Sequence, residues 1–134
     1  MTFATERRVR FAHCDAAGIV YYPRLFEMID GAIEDWFRAV LGAGRRETHL
    51  HRRLGTPLVS IETSFHAASR LDEVLTFTVA IAALGRSSLD LDVDAACQGE
   101  RRLHTRVRQV LVDLDAMKAV AWPDDWRRAM EERA

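Results

Sequence analysis

The stretch HCDAAGIVYYP, residues 13–23, gathers the residue types that act on a carbonyl group. Asp15 supplies a carboxylate. Gly18 permits close backbone approach in the connecting loop. Pro23 suits the first turn of the apolar-periodic segment that follows, where no intrahelical N–H partner is lost. The first turn of a helix presents backbone N–H groups without intrahelical acceptors. These carry partial positive charge and can bind an oxyanion or polarise a carbonyl. A carboxylate just upstream can attack a carbonyl held there, or activate water toward it. A loop aspartate also caps turns through its own side chain, and spacing alone leaves both readings open.

The other reactive residues are less well placed. His49 and His51 sit in a polar stretch, residues 45–53, without metal-ligand spacing, so no zinc site is expected. His66 falls within a strand-like run. Ser60, Ser64 and Ser69 lack the G-x-S-x-G setting of a serine hydrolase. Glu27, Asp30 and Glu34 fall opposite the apolar stripe of their helix and read as solvated or interface charges. Cys14 and Cys97 show no CxxC spacing and read as buried free thiols of a reducing compartment.

The elements that must hold Asp15 follow from periodicity. Residues 7–13 alternate, with Val9 and Phe11 on one side and Arg8 and Arg10 on the other, which predicts a short strand. Tyr22, Leu25, Phe26, Ile29, Ile33, Trp36, Phe37 and Val40 recur at three- and four-residue steps, which predicts a helix over 22–41. Gly42 and Gly44 supply its stop. Four strands follow, over 58–67, 74–84, 87–98 and 102–114, the last with a bulge near Gln109. In the third of them Leu89, Leu91, Val93 and Ala95 oppose Asp90, Asp92 and Asp94. The order β-α-β-β-β-β with short turns predicts an antiparallel meander. Its apolar face needs a cover, and the long helix is the only segment that supplies one. The expectation is an α+β domain, a curved sheet of about five strands wrapped around one central helix. Residues 124–133 suggest a short surface helix.

The bulk numbers agree with one domain over 1–134. With 49% hydrophobic and 29% charged residues the chain is neither disordered nor fibrous. A formal net charge of -1 gives no general attraction to nucleic acid. The local clusters at Arg7, Arg8 and Arg10, at Arg45 and Arg46, and over 101–108 read as solvated faces. No apolar leader or membrane-length run is present, so a cytoplasmic location with no membrane partner is expected.

The pattern D-x-x-G-[IV]-V-aromatic-[YH]-x-x-[YFL] between a strand and a helix resembles the signature of hotdog-fold acyl-CoA thioesterases. Asp15, Gly18, Ile19, Val20, Tyr21 and Tyr22 match it as they stand, and Pro23 follows. HCDAAGIVYYP is most similar to the 4-hydroxybenzoyl-CoA thioesterase branch with an aspartate catalyst. The resemblance continues through GTPLVSIETSF (55–65), SRLDEVL (69–75) and LGRSSL (84–89), and covers roughly 7–115. It implies hydrolysis of a thioester to free acid and CoA, with an aryl-CoA such as 4-hydroxybenzoyl-CoA as substrate. Asp15 would be the catalytic carboxylate and the N–H of Tyr22 the donor to the thioester oxygen. Gly18, Ile19, Val20 and Tyr21 would line the acyl pocket. A partner subunit would complete the site near Thr56, Pro57 and Ser60, in a homodimer or homotetramer. Arg86, Ser87 and Ser88 would approach the phosphates of coenzyme A. No cofactor and no metal are implied, since CoA is part of the substrate. Ala16 stands where this branch often has proline, and Tyr22 where many relatives have histidine. A short- or medium-chain acyl-CoA thioesterase, a hotdog dehydratase and a non-catalytic acyl-CoA-binding module stay open as alternatives.

Overall fold

The apolar stripe forms one helix, α1 (Tyr22–Leu41), in the computed structural model, which describes residues 2–133. Leu25, Met28, Ile29, Ala32, Ile33, Trp36, Phe37 and Val40 are buried along it. The helix stops at Gly42, whose φ of 72° is the left-handed value that favours glycine. The Gly42 N–H closes the last turn on Arg38 O at 2.9 Å.

Five strands make the main sheet: β1 (Phe3–Arg8), β3 (Leu58–Phe65), β4 (Val74–Leu84), β5 (Ser88–Cys97) and β6 (Glu100–Val110). Their order is β1-β4-β5-β6-β3, antiparallel throughout. Leu75, Phe77 and Val79, then Leu89, Leu91 and Val93, then Leu103 and Val107, are fully or almost fully buried with α1 in one core. The opposite face of β5 carries the three aspartates in register with basic residues of β6. Arg108 donates to Asp90 at 2.7 and 2.8 Å, and Arg106 to Asp92 at 2.6 and 3.0 Å. The His104 ring and Asp94 are 2.8 Å apart. Much of the basic run over 101–108 is thus paired across strands rather than merely solvated. The guanidinium partners hold Asp90 and Asp92 below their ordinary pKa.

Several expectations are corrected. The first strand lies at Phe3–Arg8, not 7–13, because its partner β4 begins at Val74 opposite Arg8. Beyond it Val9 bonds the 72–73 turn, and Phe11–His13 winds into one 3₁₀ turn. The meander holds only for β4, β5 and β6. β3 crosses to the far edge and pairs with β6. The bulge opposite Gln109 belongs to β3: Leu58 pairs with Gln109 and Ser60 with Arg108, leaving Val59 as the extra residue. The predicted fourth strand breaks at Leu111, which is fully buried and bonded to Ser87 O at 2.7 Å. The chain then enters a small second sheet of β2 (Leu54–Gly55), β7 (Val112–Asp113) and β8 (Lys118–Ala119). His66 lies just past the end of β3. Residues Arg46–His51 form a π-helical turn rather than an open loop. The tail helix α2 (Asp124–Glu131) is not a surface appendage. Its Trp126 and Met130 join Trp122 in the core, and Arg52 stacks over the Trp126 ring at 4.7 Å.

Candidate active site

Asp15 sits in a tight loop between the 3₁₀ turn and α1. Its N–H donates to Ile19 O and its C=O accepts from Gly18 N–H, both at 3.0 Å. Gly18 has a φ of 80°, and an added Cβ would meet nothing within 4 Å, so backbone conformation alone selects glycine there. Asp15 Oδ1 accepts the Ala17 N–H at 2.8 Å, so the turn-capping role is real. The residue is nevertheless exposed and retains acceptor capacity for a ligand. Val20 N–H donates to Ser69 O and Tyr21 N–H to His13 O, both at 2.9 Å. At the helix start, Arg24 N–H is taken by Tyr21 O at 2.8 Å, and Pro23 has no N–H. Tyr22, the first helical residue, carries the N–H with no intrahelical acceptor.

A cavity of about 600 Å³ opens between α1, β3, β6 and the small sheet. Phe26, Ile33, Leu58, Ile61 and Val107 give it mainly apolar walls. An edge-to-face line of rings connects it to the Asp15 loop: Tyr21 to Tyr22 at 5.6 Å, Tyr22 to Phe26 at 6.1 Å, and Phe26 to Phe65 at 6.1 Å. Tyr22, Phe26, Ile29 and Ile33 share one side of α1, so the helix start and the cavity lie along one stripe.

The expected site residues divide. Thr56 and Pro57 line this cavity, and the Thr56 carbonyl accepts from Gln109 Nε2 at 3.1 Å. Ser60 lies on the exposed edge strand β3. Gly18, Ile19, Val20 and Tyr21 do not line it. Val20 is 5% exposed and its side chain belongs to the core, because the bridge to Cys14 and the bond to Ser69 turn it inward. Arg86 and Ser87 lie in the β4–β5 turn and Ser88 opens β5, all three outside the cavity. Trp122 fastens that turn through Arg86 O at 3.0 Å and Ser88 O at 3.1 Å, leaving the Arg86 side chain exposed.

Sequence reasoning missed the cavity's polar end. Arg45 donates to both oxygens of Asp30 at 2.9 Å and lies 3.2 Å from Glu34, so these helix charges are paired as well as partly exposed. His49 lines the cavity beside them, its Nδ1 2.8 Å from Thr48 Oγ1. Burial, reinforced by the Arg45 charge, pushes its pKa below the ordinary imidazole value. The spacing of four between Arg45 and His49 was the available signal. Cys97 is buried and Cys14 half-buried, both as free thiols.

A second polar cluster underlies the Asp15 loop. Arg102, with 8% of its side chain exposed, donates to Glu73 at 2.7 and 2.9 Å. Those bonds hold the Glu73 carboxyl at about 2, against an ordinary 4.5. A carboxylate held low stabilises the fold fully above its ordinary pKa and loses that contribution as the pH falls through its folded value. The melting temperature is therefore expected to drop as the pH goes from about 4.5 to about 2. Glu73→Gln should start lower at neutral pH and show a shallower acid slope, measured by thermal melts across that range.

The sequence model of the thioesterase-like superfamily matches residues 9–130. The chain belongs to that superfamily. A 4-hydroxybenzoyl-CoA thioesterase of Pseudomonas sp. (strain CBS-3) is 34% identical over 84 residues, which is 62% of this chain and 60% of the relative. A 1,4-dihydroxy-2-naphthoyl-CoA hydrolase of Synechocystis sp. is 23% identical over 138 residues, 96% of this chain and 94% of that one. The solved structure of the Pseudomonas thioesterase superposes with a TM-score of 0.87 at 26% identity, covering 96% of this chain and 98% of the other. The superfamily fold is thus the hotdog fold read from the sequence, with β3 and β1 as its two edges.

Proposed function

We propose that the protein hydrolyses an acyl-CoA thioester to a free acid and CoA, with an aryl acyl group as the preferred cargo. The observation that carries this reading is a carboxylate on the loop before α1 and an unclaimed N–H at the helix start, linked by the Tyr21–Tyr22–Phe26 rings to a largely apolar cavity. The two relatives named above act on a hydroxybenzoyl and a dihydroxynaphthoyl thioester, which supports the aryl preference.

In this mechanism the thioester oxygen accepts the Tyr22 N–H, which stabilises the negative charge that builds up there. Asp15 then acts in one of two ways. As nucleophile it adds to the carbonyl carbon, CoA leaves as the thiolate, and water cleaves the resulting acyl-aspartate anhydride. As base it takes a proton from the attacking water. The aryl group would lie along the Phe26 stripe toward His49 and the Asp30–Arg45 pair. Arg86, with Ser87 and Ser88, would meet the CoA phosphates.

The exposed apolar edge of β3 supports completion of the site by a second copy. Leu58, Val59, Ile61 and Phe65 are all at least 39% exposed on a strand with one free edge. A homodimer, alone or paired into a homotetramer, would cover it. Among the described residues no helix is long and apolar enough to cross a membrane; a cytoplasmic site of action belongs to this proposal.

The test is free-CoA release from benzoyl-CoA, 4-hydroxybenzoyl-CoA, 1,4-dihydroxy-2-naphthoyl-CoA and hexanoyl-CoA. Aryl thioesters are expected to give the higher kcat/KM. No release from any of them, or hydration of an enoyl-CoA in their place, overturns the reading.

A further inference from the structure

The sheet breaks its own pairing around Arg102. Ala95 pairs with Leu103 and Ala96 with Arg101, so Arg102 is an extra residue on β6. A bulge re-aims the side chain it carries. Here the result is that Arg102 and Leu103, consecutive in the strand, are both buried. The guanidinium reaches the 66–73 loop. Nη1 donates to Ala68 O at 2.9 Å and Ser69 Oγ at 3.3 Å, besides its bond to Glu73. Its Nε lies 2.7 Å from Glu100 Oε1 but is not aligned to donate to it. The Arg102 carbonyl accepts from His66 N–H at 2.8 Å. Glu73 closes the loop by accepting Arg70 N–H at 2.6 Å. The 66–73 loop is therefore held at both ends and in its middle by one bulged residue and its carboxylate partner.

That loop in turn carries the site. Ser69, 3% exposed, presents its carbonyl to Val20 N–H. Val20 lies between Asp15 and Tyr22, five residues after the one and two before the other, and pairs back to Cys14. The pair is buried on its Arg102 side and half-buried on its Glu73 side, and the geometry of its hydrogen bonds fixes the direction of the groups it holds. Apolar packing would fill this space without dictating where the Ser69 carbonyl points.

We propose that Arg102 and Glu73 are positioning residues, which through Ala68, Ser69 and Val20 hold Asp15 and the Tyr22 N–H at the separation the thioester needs. This rests on the hydrolase reading above. Neither residue touches substrate. Their loss lets the Asp15 loop shift against the helix start while the strands stay paired.

The experiment uses Arg102→Lys, which keeps the charge but not the fork, and Glu73→Asp, which shortens the carboxylate by one carbon. Each is assayed for CoA release and for amide hydrogen exchange. Because misplacement of about 1 Å can cost on the order of a hundredfold in rate, kcat is expected to fall about ten- to a hundredfold, with KM changed by less than about threefold. The Val20 amide should exchange at least about tenfold faster, while Leu91 and Val93 in central β5 keep their protection. An unchanged kcat, an unchanged Val20 amide, or equal acceleration at Val20, Leu91 and Val93 overturns the proposal, the last by reducing the pair to global stability. If Arg102→Lys does not fold, Glu73→Asp decides on the same readings. Failure of the hydrolase reading is visible separately, as absence of CoA release by the unsubstituted protein. The catalytic half of the proposal then falls, and Val20 exchange still decides whether the clamp exists.

Discussion

Asp15→Asn is expected to fold and to bind acyl-CoA, yet to release CoA about 10²- to 10⁴-fold more slowly, the range for loss of a positioned acid–base group. The geometry makes this substitution a clean separation of two roles. The Asp15 Oδ1 accepts the Ala17 N–H, and an asparagine Oδ1 can accept the same bond. The turn should therefore survive, with a melting temperature close to that of the unsubstituted protein. What is lost is the charge, and with it both the nucleophile and the base. The loss should fall on kcat, with KM little changed, as when an interaction made in the transition state is removed. A kcat near that of the unsubstituted protein would reduce Asp15 to a turn residue. A single turnover in oxygen-18 water then separates the two chemical roles, because an anhydride leaves label in the aspartate when water attacks its side.

In the proposed homodimer, Val59→Glu is expected to separate the copies and abolish most activity. Val59 is the bulged residue of β3, 60% exposed, and it does not line the cavity. A change there leaves the acyl walls of a single chain intact. In a two-fold assembly one substitution places an unpaired charge from each copy at the joint, and such charges cost several kcal/mol. A cost of that size weakens association by about a hundredfold or more. Sedimentation should show a smaller species, and CoA release should fall in parallel and recover as protein concentration rises. A variant that sediments and turns over like the unsubstituted protein would remove β3 as the joint. A monomeric but fully active unsubstituted protein would place the whole site within one chain.

Parts of this arrangement were legible in the order of residues because they depend on near neighbours. The period of α1 and its glycine stop are local properties of about twenty residues. The alternation in β4 and β5 is local too, and it correctly separated the buried leucines and valines from the three aspartates. The HCDAAGIVYYP stretch places a carboxylate, a left-handed glycine and a helix start within eleven residues, so their proximity needs no long-range contact.

The rest depended on which segments meet. A strand's alternation says which face is apolar, not which neighbour it pairs with, so β3 could be expected beside β4 and yet stands beside β6. Strand ends follow the partner: residues 9–13 alternate like a strand but run past the start of β4. Arg102 reads as one of a solvated basic run, until a mismatch between β5 and β6 turns it inward onto Glu73, 29 positions away in the chain. Arg45, His49 and Gln109 likewise look unrelated until the fold gathers them around one cavity beside α1. Short-range periodicity encodes what each element must bury, whereas the identity of its cover, and so the walls of the cavity, arises from contacts between residues far apart in the chain.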